Sequence, residues 1–200
     1  MRVIKFFKEN SYNMVKVFIN QIGITIFSFV LYFSIASFKE SNIQLYHKLM
    51  VAISVFAMLF FFVLLYTAAW DLGASDKIRI ESKKEKKNVF KGALITLCAN
   101  TLNFILAGIV LIAVVFNIKG AFAAVSGVCY TIFILLNGMY NGFIRNGLML
   151  INSSEEPHAI LSSVGFFAVL LLPIIASHIG YVFGLKNIRI FKSSTKKKTK

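Results

Sequence analysis

The chain has 200 residues, 58% hydrophobic and only 15% charged, with a net charge of +14 and a mean hydropathy of +0.75. A soluble domain runs at ~45–50% apolar and spreads polar residues along each element to cover an outer face. Here the charges are clumped and whole segments lack such a face, so a soluble globular domain is excluded and hydrocarbon is the expected solvent. The basic excess flanks apolar runs and comes with no RNA- or DNA-binding motif, so it is assigned to membrane flanks and lipid headgroups, with no nucleic-acid partner.

In chain order, Met1 to Tyr12 mixes Val3, Ile4, Phe6 and Phe7 with Arg2, Lys5 and Lys8. This is either a short helix lying on the membrane surface or an unstructured basic start. The first apolar segment, Val17–Phe38, is 22 residues long. That exceeds the ~7–15 residues of a signal-peptide core, so it reads as a retained first span despite the small-x-small pattern Ser34-Ile35-Ala36. The second, Leu49–Trp70, has only Ser54 and Thr67 as clearly polar residues and closes on Tyr66 and Trp70, as an aromatic interface belt does. Ala93–Phe116 follows, then a marginal segment from Ala121, then Ala159–Leu185 with Pro173 in mid-span, where the missing amide predicts a kink. None of these runs alternates polar and apolar residues as barrel strands do, so they are helices.

The expected fold class is therefore all-α: a polytopic transmembrane helical bundle of about five spans, at 17–38, 49–70, 93–116, 121–142 and 159–185. Residues 1–200 form one integral membrane domain, with a basic connector at 71–92 and a basic tail at 186–200. Asn-Gly pairs at 137–138, 141–142 and 146–147 signal turns and predict a broken or re-entrant stretch near 137–151. Gly138-x-x-x-Gly142 and Gly180-x-x-x-Gly184 are alternatives for close helix packing.

Connector and tail each carry seven Lys and Arg, so the positive-inside rule puts both on the cytoplasmic side, with the basic N-terminus. Three segments between them give the wrong parity. Either 143–151 completes an extra crossing, or one segment enters and leaves on the same face, or the tail is outside. Arg145 in the middle of 139–151 argues against the first, since a central Arg costs roughly 2.5–3.5 kcal/mol. Both basic flanks contain Ile-Arg-Ile (78–80 and 188–190), a period-two pattern that is either two short strands pairing beneath the membrane or coincidence.

The spans hold no charged residue apart from their edges, which counts against proton-coupled transport. Their polar candidates are Thr96, Asn100 and Asn103 on one helical face, with Asn137, Asn141 and His178; Asn20 and Gln21 open the first span. These are either interhelical hydrogen-bonding residues, at about 0.6 kcal/mol each, or a polar path for a solute. Asp71 and Asp76, with Glu81 and Glu85, could serve cation or phosphoryl chemistry; the ordinary role is pairing with Lys77 or Arg79. Cys98 and Cys129 read as small buried hydrophobes. No metal site, no cofactor and no catalytic motif is present in the sequence. Lys83, Lys84, Lys86, Lys87, Lys91, Lys196, Lys197 and Lys198 are expected to contact anionic lipid headgroups.

The stretches W-D-L-G-A-S-D (70–76) and G-Y-V-F-G-L-K-N (180–187) resemble uncharacterised small multi-span membrane proteins of Gram-positive bacteria. The resemblance implies a multi-pass protein of the bacterial cytoplasmic membrane and supplies no activity. Three functions follow in order: a non-catalytic accessory or scaffold subunit that pairs with other membrane proteins or with itself, a small transport component using Asn100 and Asn103, and a lipid-modifying enzyme using Asp71 and Asp76.

Overall fold

The computed structural model describes residues 2–83, 86–152 and 159–188. Among them there is no strand. The helices are α1 (Arg2–Ser34), α2 (Phe38–Ser41), α3 (Ile43–Glu81), α4 (Lys91–Ala99), α5 (Thr101–Val115), α6 (Ala121–Asn137), α7 (Gly147–Asn152), α8 (Ala159–Val169) and α9 (Leu171–Lys186). A 3₁₀ turn, Gly138–Tyr140, and a π-helical turn, Gly142–Asn146, join α6 to α7. Four described helices, or five with α4 and α5 taken as one bent span, are long and apolar enough to cross a membrane. Ile19, Ile26, Phe33, Leu59 and Phe60 point outward into the surroundings, while Phe61, Leu65, Phe133, Met139 and Leu170 close the interior. An apolar exterior around an apolar interior is what a lipid solvent permits, and the protein is an all-α, multi-pass membrane bundle.

Several boundaries differ from those expected. The N-terminal segment is neither a separate surface helix nor unstructured from residue 2 onward: it is the first turns of α1, which runs unbroken for 33 residues. The 71–92 connector does not begin at Asp71, because α3 continues to Glu81 for 39 residues in all. At 1.5 Å per residue that is about 58 Å, nearly twice the hydrocarbon thickness. Residues 71–81 include no proline, and Lys77–Glu81 adds an i,i+4 pair at 3.8 Å. Ile78-Arg79-Ile80 is therefore helical and pairs with no strand, while Arg189 and Ile190 of the second copy lie outside the described residues. The third span is broken at Asn100, where α4 and α5 meet at 58°. Pro173 acts at the junction of α8 and α9: lacking an amide, it leaves the carbonyl of Val169 without its helical donor, and the chain breaks at Leu170.

Pairwise contacts give each segment its direction. Gly180 lies against Tyr66, and Gly184 against Trp70 and Ala74, so α9 runs parallel to α3. The Trp70 Nε1 donates to the carbonyl of Ile188 at 2.7 Å just past the end of α9. The exits at 82 and 188 thus share one end of the bundle. The N-terminal turns of α1 lie at that same end, where Lys5 and Glu9 face Arg79 and Lys86 across a cleft. We call it the basic end.

The parity conflict resolves at Asn137. From the far-end hairpin 116–120, α6 descends past Ser126 and Tyr130 to Asn137, which meets Gln21 halfway along α1. The chain then turns back. Gly138 packs on Phe29, Gly142 on Met50 and Ser54, and the Asn146 Oδ1 accepts from His47 Nδ1 at 2.7 Å, near the start of α3. Residues 121–152 therefore form a re-entrant hairpin that enters and leaves at the far end, leaving α1, α3, α4–α5 and α8–α9 as four crossings. Ala121–Tyr140 has the length and composition of a span, but its contacts stop it at mid-depth. Arg145 sits on the returning arm, at the level of the α8 start and on the far-end side of the amides at Asn137.

The α3–α9 seam positions everything at the basic end. A Cβ on Gly180 or Gly184 would run into the carbonyl oxygens of Tyr66 and Trp70, and one on Gly73 into that of Tyr181. Glycine at these positions lets two backbones touch, as in small-x-x-x-small membrane packing.

Candidate functional site

The polar residues of the spans meet in one buried chain of amides at the level of the two breaks. Asn100 Nδ2 donates to the carbonyl of Thr96 at 3.0 Å, beside the backbone N–H of Asn100 that donates to the same oxygen at 3.0 Å. Asn103 Nδ2 donates to Asn100 Oδ1 at 2.9 Å, Asn137 Nδ2 to Asn103 Oδ1 at 3.0 Å, and Gln21 Nε2 to Asn137 Oδ1 at 2.7 Å. The carbonyl of Leu136, near the α6 end, accepts from Gln21 at 3.2 Å and from Thr25 Oγ1 at 3.0 Å. Every amide passes its donor in the same sense from Gln21 to Thr96, so the chain is aligned, and the four residues are almost completely buried. Buried at this depth, such a network ties α1, α4–α5 and α6 together.

A second polar cluster is set into the basic end. Lys91 Nζ lies 2.8 Å from Asp76 Oδ2, and the Tyr181 hydroxyl donates to the same oxygen at 2.9 Å. Asp76 and Lys91 are 1% and 7% exposed, so this pair is shut away from solvent. Arg79 stands 4.0 Å from the other carboxylate oxygen. The glycines of the seam and Gly92, packed on Tyr181, bring the three elements close enough for these contacts. Beside the pair opens a cleft of about 810 Å³ between α1 and the extension of α3, lined by Lys5, Arg79, Lys86 and Lys91 against a single acid, Glu9.

Three of the six expected path residues, Asn100, Asn103 and Asn137, are thus together. Thr96 joins only through its carbonyl, its buried hydroxyl having no partner among the described residues. Asn141 lies between the 3₁₀ and π turns, and His178 is stacked on Phe90 at 5.4 Å towards the basic end, so neither belongs to the amide chain. Lys91 is a correction: expected at the headgroups, it is buried on Asp76 because α4 begins inside the bundle rather than after a solvated flank. Lys83, Lys86 and Lys87 are exposed; Lys84, Lys196, Lys197 and Lys198 lie outside the described residues. Asp71 is exposed, whereas Asp76 is buried against Lys91 and Tyr181. Among the described residues, no three His, Cys, Asp or Glu are grouped to hold a metal.

Sequence reasoning did not name Asp76–Lys91 or Gln21–Asn137 as pairs. The available signals were small: a lone Asp one helical turn past a glycine, and Gln21 with Thr25 one turn on as the polar stripe of the first span. Comparison with family models, with curated proteins and with solved structures finds no match to this chain.

Proposed function

We propose that the protein is a non-catalytic accessory or scaffold subunit of the bacterial cytoplasmic membrane, with its basic end in the cytoplasm holding anionic lipid headgroups and other membrane proteins. The observation that carries this reading is the way the spans use their polar groups. Asn100, Asn103, Asn137 and Gln21 hydrogen-bond one another, and Asp76 is neutralised by Lys91. These six side chains are occupied in holding helices together, and exposed basic side chains gather around the basic-end cleft. Each exposed Lys or Arg near an anionic surface adds roughly 1 kcal/mol of attraction. The two motifs that resemble small membrane proteins of Gram-positive bacteria support the choice of membrane.

A transport role is the second reading, favoured by one feature: a re-entrant hairpin meets a bent helix at buried amides, the kind of interrupted elements that carriers place at a substrate site. Purification in mild detergent with identification of bound membrane proteins, followed by reconstitution of the chain alone, separates the two. The scaffold reading expects a stoichiometric membrane partner or a stable homo-oligomer and no solute flux into vesicles. A monomer that conducts solute flux by itself would overturn it.

A further inference from the structure

We propose a binding site for an anionic phospholipid at the far end of the bundle, inside the fork of the re-entrant hairpin and remote from the basic end. A cavity of about 580 Å³ opens there between α5, α6, the π turn, α7 and α8. That volume falls in the range of ordinary ligand sites, roughly 300–1,000 Å³.

Its lining has two characters. Val110, Val114 and Phe166 form an apolar wall suited to acyl chain. Opposite stands Arg145, half-buried and with no ion-pair partner among the described residues. It is carried by the π-helical turn Gly142–Asn146, which displaces it from the regular helical register. Such turns recur at functional sites, and an ionisable group inside a membrane bundle calls for a counter-charge.

A second observation is independent of the arginine. The cavity is lined by Ser126, Ser162 and Ser163. Ser126 and Ser163 donate to carbonyls of their own helices, Ala123 and Ala159, both at 2.8 Å. Ser162 is 8% exposed and its hydroxyl has no partner among the described residues. A buried hydroxyl without a partner costs about 1–3 kcal/mol, and a phosphate oxygen held by Arg145 offers it an acceptor. A guanidinium with a hydroxyl beside it and an apolar wall behind it matches a lipid phosphate with its acyl chain better than a free phosphate, which leaves the apolar wall unfilled.

The test uses the full chain released from nanodiscs of phosphatidylglycerol or phosphatidylcholine, with retained lipid counted by native mass spectrometry. The expected result is one tightly retained phosphatidylglycerol and no retained phosphatidylcholine, with millimolar inorganic phosphate failing to displace it. R145Q should lower retention about tenfold and R145K much less. G127L provides a steric version: a Cβ at Gly127 meets nothing within 4 Å, so leucine there fills the cavity mouth without disturbing the fold. It should keep thermal stability and lose the lipid. K39Q, at an exposed lysine of α2 that does not line the cavity, should leave the count unchanged. Retention unaffected by R145Q or G127L, equal retention of the two lipids, or lipid lost as much in K39Q as in R145Q would overturn the site. So would an R145Q variant that loses stability but not lipid.

Discussion

The α3–α9 seam and the junction of α5 with α6 hold the same bundle together by opposite means. Along the seam, Gly73, Gly180 and Gly184 remove side chains so that two continuous helices touch along their backbones. At the junction, helices are broken, at Asn100 and after Asn137, and side-chain amides fill the space and the bonds that the breaks leave open. In lipid, where burying apolar surface gives little drive for helices to associate, these are the two remaining sources of cohesion: van der Waals contact and internal hydrogen bonds. The difference teaches that the seam depends on the absence of atoms and the junction on the presence of particular ones. Substitution should therefore harm the two regions in different ways.

The largest expected effect lies where the seam and a polar cluster coincide. Lys91→Met leaves Asp76 buried without its cation and should destabilise the protein by about 3–5 kcal/mol, while Asp76→Leu with Lys91→Met should recover most of that loss. Thermal unfolding in detergent, monitored by circular dichroism, reads both. Next, Gly184→Ala places a methyl group against the Trp70 carbonyl and should cost on the order of 1–3 kcal/mol. By contrast, Gly108→Ala, where a Cβ meets nothing, should stabilise by up to about 1 kcal/mol. If the two alanines behave alike, the seam does not depend on backbone contact.

At the junction, Asn137→Leu keeps the volume but strands Gln21 and Asn103, and should cost about 1–3 kcal/mol. A double-mutant cycle with Asn103→Leu should give a coupling energy of roughly 0.5–2 kcal/mol, since the two residues share one network; strict additivity would show that the amides act separately. The smallest effect is expected at Thr67, exposed and bonded only to carbonyls of its own helix, where Thr67→Val should change stability by no more than about 0.5 kcal/mol.

Legibility in the sequence followed the same division. Helix class and the apolar segments could be read because they depend on local composition, and Gly180-x-x-x-Gly184 because its spacing is local too. The Asn-Gly pairs marked the break near 137. What could not be read was who meets whom. Lys91 looked like one more flank lysine, because its burial depends on α3 running on past Trp70 and on Gly92 letting α9 approach. The direction of the chain after Asn137 was equally hidden, since a turn signal gives a bend but not the face by which the chain leaves. Arg145 seemed to bar a crossing only under the assumption that 139–151 passed through the bilayer centre.

Membrane-impermeant maleimide labelling of single cysteines at Ser82, Lys119, Leu150 and Asn187, in a Cys98→Ala, Cys129→Ala background, tests the re-entrant arrangement most directly. Four crossings predict that Ser82→Cys and Asn187→Cys react from one side, and Lys119→Cys and Leu150→Cys from the other. Labelling of Lys119→Cys and Leu150→Cys from opposite sides would make the 121–152 segment a true crossing and contradict the account.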